Sequence, residues 1–212
     1  MNTIKDYKKE EKNLYLPKTT PTLIDVPEMN FVSVIGKGNP NEEDGEYQKA
    51  LNIIYSISYT IKMSKNGNET PEGYFDYVVP PLEGLWWLDG DKEWTAKSDF
   101  NWSSLIRLPE FVNENVFEWA CNKVRAKKGI STDKAKFIKF KEGMCVQCMH
   151  LGSYDDEPRT LKLLDDFIAE NDLLNDINEE RRHHEIYLSA LTKPADSTKM
   201  KTVLRIPVKK KT

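Results

Sequence analysis

Large and β-branched side chains alternate through residues 26–38, with Phe31, Ser33 and Ile35 on one side and Val32, Val34 and Gly36 on the other. A period of two is that of a strand. The period then changes. Tyr47, Leu51, Ile54, Ile57 and Ile61 recur every three or four residues, so residues 41–65 read as a helix with one face toward a sheet. Asn41 can cap it, Asp44 suits its first turn, and Asn66-Gly67-Asn68 ends it. Residues 74–79 read as a strand. Pro80-Pro81 turns into an aromatic strand running from Leu82 to Leu88, and Asp89-Gly90-Asp91 turns again. Trp94, Phe100, Trp102, Leu105 and Ile106 mark a further strand region that Leu108-Pro109 closes. The order of the first half is therefore β-α-β-β.

A second helix follows over residues 113–128, capped by Asn113, with Val116, Phe117, Ala120 and Val124 on its apolar face and Gly129 at its end. The second half then repeats the order. Residues 137–152 hold two strands' worth of apolar positions. Gly152 to Glu157 is a loop, Pro158 suits the first helical position, and Leu161, Leu164, Phe167 and Ile168 form a helix face. Residues 182–189 read as a strand, Pro194-Ala195-Asp196-Ser197 as a turn, and residues 202–208 as the last strand. The repeat is one of order, not of letters.

With 212 residues the chain is long enough for one large domain or two small, intimate ones, without disulfide or metal staples. The net charge of −3 argues against a protein that coats DNA. No apolar run could cross a membrane, and residues 1–12 have no apolar core of a signal peptide. Three cysteines cannot build a disulfide framework, so a cytoplasmic location is expected. Residues 1–20 read as a polar arm, a solvated helix and then an extended stretch that Tyr15, Leu16 and Pro17 could dock. Lys209 to Lys211 read as a solvated tail. The unusual feature is the ring content, five Trp, nine Tyr and eight Phe.

Several motifs invite chemistry and fail on geometry. Gly36-Lys37-Gly38 lacks the remaining glycine and the Lys-Ser/Thr pair of a phosphate loop, and reads as a turn. Cys145-x-x-Cys148-x-His150 suggests a metal, but on a strand Cys145 points with Gln147 and Met149 while Cys148 points with Val146 and His150. Ligands on opposite faces cannot share an ion, so no metal is expected. His183-His184-Glu185 is not a zinc helix, because Leu188 stands where the second histidine is required and the segment reads as a strand. What remains is a polar strand face of His183, Glu185, Tyr187 and Ser189, opposite a packing face of His184, Ile186 and Leu188. Glu185 is either paired with Arg181 or Arg182 or turned toward a ligand. Trp86 and Trp87 point to opposite faces, so at most one packs under a helix, and Glu83 shares the face of Leu85 and Trp87. Carboxylates and rings without basic residues suit a flat aromatic or cationic ligand and suit phosphates poorly.

Taken together, residues 26–31, Gly36-Lys37-Gly38-Asn39-Pro40-Asn41, Leu82-Glu83-Gly84-Leu85-Trp86-Trp87, residues 150–158, residues 183–189 and residues 201–208 give a resemblance to stand-alone GyrI-like small-molecule-binding proteins, spanning about residues 7–208. The resemblance implies an α+β fold of two β-α-β-β modules related by a pseudo-twofold, with a central ligand groove, a central carboxylate and aromatic walls. Residues 1–20 would be an arm. A single domain would fill 21–212, its modules at about 22–108 and 135–208 linked by the helix at 113–128. The resemblance implies the fold of ligand domains in multidrug-responsive regulators, and the short lead segment of residues 1–20 leads us to expect no DNA-binding module before it.

Some stand-alone members of the family hydrolyse the cyclopropane ring of spirocyclopropane DNA-alkylating compounds, which implies a detoxifying hydrolase. In that reading Glu185 is the general base or positions the water, and Tyr187 or Tyr154 donates to the developing oxyanion. Trp86 or Trp87 stacks on the flat substrate, and Glu83 is a second pocket acid. His150 is a further ligand-binding candidate, because related folds hold tetrapyrroles. The expected partner is a small molecule, with no cofactor, nucleic acid or membrane, in a monomer or weak dimer. The alternatives are non-catalytic binding or sequestration, and a gyrase-inhibiting interaction through the acidic loop at residues 154–157.

Overall fold

The computed structural model describes residues 4–67, 69–90, 96–189 and 197–211. Its elements are α1 (Tyr7–Glu10), α2 (Lys12–Tyr15), β1 (Thr22–Lys37), α3 (Glu46–Lys62), β2 (Leu82–Trp87), β3 (Asn101–Leu108), α4 (Glu114–Lys128), β4 (Ala135–Leu151), α5 (Glu157–Glu170), β5 (Leu173–Asn175), β6 (His183–Tyr187) and β7 (Lys201–Lys210). The class is α+β. The expected β-α-β-β order occurs twice, as β1-α3-β2-β3 and as β4-α5-β6-β7, with the short β5 added. Trp94, Asp91, Asn68 and residues 194–196 lie outside the described residues. The chain divides into two compact units: residues up to 6, 29–80 and 86–140, and residues 7–28, 81–85 and from 141 onward.

In the first unit β1 and β3 pair antiparallel, from Asn30 opposite Leu108 to Lys37 opposite Asn101. The α3 stripe of Tyr47, Leu51, Ile54, Ile57 and Ile61 is buried as its spacing requires. The helix starts later than the pattern suggests. Asn41 closes a local turn on the Asn39 side chain, Asp44 adopts φ +57°, and Gly45 becomes the cap. Asn113 caps α4 by accepting from the Val116 N–H at 3.0 Å, and Gly129 ends it at φ +65°. Residues 74–79 are not a strand. Only Tyr77 bridges, to Lys5, while Tyr74, Phe75 and Tyr77 surround Phe111 at centroid distances of 5.2, 5.3 and 6.2 Å. Their bulk serves an aromatic cluster rather than a ladder. Gly36 has a packing reason: a Cβ there would lie 2.2 Å from the Trp102 ring.

In the second unit β7 is central and pairs antiparallel with β4, β5 and β6. The helix α5 covers one face, where Val146, Cys148, Leu204, Ile206 and Val208 pack on Leu164 and Ile168. Strand alternation then sends Cys145, Gln147, Arg205 and His184 to the other face. The region expected as two strands is the single strand β4. Gly143 bends it at φ +71°, and the Arg181 guanidinium donates to the flanking carbonyls, Glu142 O at 3.0 Å and Met144 O at 2.6 Å.

The first residues are also not a solvated arm. Tyr7, Leu14 and Tyr15 are buried, and the carbonyls of Asn13 and Leu14 accept from Gln147 at 2.6 Å and Arg205 at 3.0 Å. The lead sequence docks through both the buried Tyr7, Leu14 and Tyr15 side chains, Tyr15 as expected, and its backbone carbonyls.

Candidate active site on strand β6

Strand β6 carries two different chemistries on its two faces. On the face away from α5, His184 pairs with Arg205 of β7, which pairs in turn with Gln147 of β4, forming one row across three strands. Arg205 donates to Glu142 Oε2 at 2.7 Å and to Gln147 Oε1 at 3.0 Å. His184 Nδ1 donates to the same Glu142 oxygen at 3.0 Å, and its Nε2 lies 3.0 Å from Glu83 Oε2. All four ionisable side chains are at most 2 % exposed.

Burial alone pulls the His184 proton off, but Glu142 and Glu83 outweigh it and raise the imidazole to about 9. Burial likewise pushes the Glu142 carboxyl up, and His184 and Arg205 outweigh it and hold it at about 2. Two cations therefore face two carboxylates, and the row is neutral. Taking an ion out of water costs several kcal/mol, so this matching is what lets four charges sit inside. Glu83 Oε1 and Glu142 Oε1 have no hydrogen-bond partner among the described residues.

The face toward α5 is built differently. Tyr187 and His150 both pair with Thr202, and Glu185 pairs with Leu204, whose side chain packs under α5. Glu185 and Tyr187 thus share the α5 face. His150 ties the start of α5 over this row: one ring nitrogen lies 2.8 Å from Thr160 Oγ1, the other 2.9 Å from Ser153 O. The Tyr187 hydroxyl donates to Glu185 Oε2 at 2.7 Å, and His183 Nε2 lies 3.4 Å from Glu185 Oε1. Among the described residues no lysine or arginine pairs with Glu185.

The Tyr154 ring meets Tyr187 edge-on at 6.0 Å. Burial, then the charges of Glu185 and Glu157, push its phenol up to about 12. Glu157, in the first turn of α5, has a buried Oε1 with no hydrogen-bond partner among the described residues. Burial, then the charge of Glu185, then Asp155, push it up to about 10. One of two neighbouring carboxyls therefore keeps its proton at neutral pH.

Of the residues singled out from sequence, the structure brings Glu185, Tyr187 and Tyr154 together. Glu83 sits on the opposite face of β6, against His184. His150 is fully buried, with both nitrogens engaged by the chain itself. In the first unit, Trp86 is buried against Tyr47 at 5.7 Å and Phe100 at 6.1 Å, and Trp87 is the less buried of the pair. Arg181 does not pair with Glu185; it bonds strand carbonyls and Asp176 at 2.6 Å. The sequence reading placed His183 on the polar face of Glu185 and Glu157 in the acidic loop without a site role for either, and it missed the ionic row of Glu142, Gln147 and Arg205. Arg205 carried a signal, a lone charge in the otherwise apolar strand Val203-Leu204-Arg205-Ile206-Pro207-Val208. Among the described residues no three His, Cys, Asp or Glu side chains are grouped to hold a metal ion, and no helix is long and apolar enough to cross a membrane.

The family model of the GyrI-like small-molecule-binding domain matches residues 19–209. An uncharacterized conserved protein from Listeria innocua has a similar structure, 48% identical, with TM-score 0.92 over 97% of this chain and 100% of that one. A hydrolase from Listeria innocua is also 48% identical, with TM-score 0.88 over the same shares of both chains. The C-terminal domain of EcmrR shares the fold at 16% identity, with TM-score 0.54 over 90% of this chain and 98% of that one. The comparison with curated protein sequences gives no match.

Proposed function

The chain belongs to the GyrI-like small-molecule-binding family, and from that premise we propose that it is a hydrolase that opens the cyclopropane ring of spirocyclopropane DNA-alkylating compounds by adding water. The observation that carries this reading is the Glu185 carboxylate, oriented by the Tyr187 hydroxyl at 2.7 Å and left without a lysine or arginine partner among the described residues. A similar protein from Listeria innocua described as a hydrolase supports it.

The chemistry is undemanding, because ring strain in the substrate supplies much of the driving force. Glu185 Oε2 is occupied by Tyr187, so Oε1 takes the proton of the attacking water. His183 Nε2, 3.4 Å from that oxygen, steadies the same water. The water oxygen bonds to the strained carbon, the ring C–C bond breaks, and its electron pair moves to a conjugated oxygen. Tyr154 offers an aromatic edge to a flat substrate.

The test is Glu185→Gln, assayed by mass spectrometry for the water adduct of a synthetic spirocyclopropyl cyclohexadienone and by fluorescence titration for binding. Turnover should fall by about 10²–10⁴-fold with binding largely kept. Turnover that survives in the variant rules out Glu185 as the base. Binding without turnover in the unmodified protein would make it a sequestering protein instead.

A further inference from the structure

We infer that Glu157 is the general acid of this site, giving its proton to the substrate oxygen on which negative charge develops as the ring opens. The inference rests on the hydrolytic reading above and adds the residue that reading lacks. Water attack needs a base at one end of the substrate and a proton source at the other.

The tyrosines considered from sequence are poorly suited to supply that proton. The Tyr187 hydroxyl already donates to Glu185. The Tyr154 phenol holds its proton more tightly than an ordinary phenol.

Glu157 is placed for the task by the fold. The His150 bonds to Thr160 and Ser153 fix the first turn of α5 above the row of Tyr187, Thr202 and His150. Tyr154, three residues earlier, rests edge-on against Tyr187. The Glu157 carboxyl lies within electrostatic reach of Glu185, the carboxylate on the same face. Its Oε1 is buried and has no hydrogen-bond partner among the described residues. A buried carboxyl oxygen with no partner carries a desolvation cost that a substrate hydrogen bond would relieve. Two neighbouring carboxyls, one ionised and one protonated, are a recurring arrangement for paired base and acid.

The step balances. Glu185 takes one proton from water, the hydroxyl adds to the cyclopropane carbon, and the ring C–C electron pair ends on the conjugated oxygen. Glu157 protonates that oxygen. The sum is substrate plus water, and a proton passing from Glu185 to Glu157 through solvent restores the pair.

The experiment uses the full chain and the spirocyclopropyl cyclohexadienone, with Glu157→Gln and Glu185→Gln compared across pH. Glutamine keeps a hydrogen-bond donor but has no proton to transfer. Glu157→Gln should lower kcat by about 10²-fold or more with KM nearly unchanged, and should abolish the alkaline fall in rate. Retention of kcat and of the alkaline fall in Glu157→Gln, with turnover lost in Glu185→Gln, overturns the Glu157 role and leaves the hydrolase standing. Loss of neither overturns both. A readout free of turnover is the infrared carbonyl stretch of a protonated carboxyl at neutral pH. It should be present in the unmodified protein and absent from Glu157→Gln, and its absence from the unmodified protein also overturns the proposal.

Discussion

His184 and Glu185 are adjacent in the chain and point to opposite sides of one strand, yet their surroundings solve the same problem in opposite ways. Around His184 two buried carboxylates meet two cations, and every charge is answered. Around Glu185 a second carboxyl sits close by, and among the described residues no lysine or arginine pairs with Glu185; Glu157 keeps its proton instead. The first arrangement is charge-balanced. The second, in the proposed function, holds a movable proton beside a base. Whether a buried carboxyl is structural or reactive depends here less on its depth than on whether a guanidinium or imidazolium accompanies it.

That contrast can be broken most severely at Arg205. Arg205→Met leaves Glu142 with half its cationic company and the Leu14 carbonyl without its donor. Urea denaturation should show a loss of about 3–5 kcal/mol.

His184→Gln acts next, and its effect depends on pH. The folded imidazole titrates above its unfolded value of 6.5, at about 9. Its contribution is therefore complete below 6.5 and disappears as pH rises to about 9. A contribution on the order of 3 kcal/mol follows from a shift of that size. Thermal melts from pH 6 to 10 should show the unmodified protein losing stability across that window and the variant losing less.

On the other face stability also falls as pH rises, but the substitution acts in the opposite direction. The folded Glu157 carboxyl is raised from 4.5 to about 10, so its contribution is favourable below 4.5 and is lost as pH rises. Glu157→Gln should therefore raise stability at pH 7–8 by about 1–3 kcal/mol, while damaging turnover. For a chain of this length that is a rise in Tm of roughly 2–10 °C in calorimetry. Under the proposed function, stabilisation on removing Glu157 is what marks this as the reactive face.

Tyr187→Phe sharpens the comparison most gently. It deletes one hydrogen bond to Glu185, which should cost about 0.5–1.5 kcal/mol in chemical denaturation and lower kcat more than it raises KM.

Local periodicity made the helices, the β-α-β-β repeat and the opposite orientation of Cys145 and Cys148 legible from sequence, because each follows from the spacing of neighbours. Glu185 and Tyr187 could be paired for the same reason: they are two apart on a strand. Glu142, Gln147 and Arg205 could not, since register brings together residues 58 and 63 positions apart. Glu157 stands at the end of the acidic loop of residues 154–157, and the contacts of His150 with Thr160 and Ser153, which hold the start of α5 over the strand row, are facts that spacing does not carry. His184 was assigned to a packing face. The face is indeed buried, but its burial is ionic rather than apolar.

The two cysteines of β4 have a practical consequence. Burial pushes the Cys148 thiol up to about 11, and Cys145 is raised as well, so neither is a ready nucleophile in the folded state. Cys148 packs beneath α5, whereas Cys145 lies on the side of the charged row. A thiol-alkylating reagent followed by peptide mapping would therefore time two openings separately on one strand: the lifting of the helix, and the undoing of the ionic layer. The chain carries its own pair of clocks, one for each face.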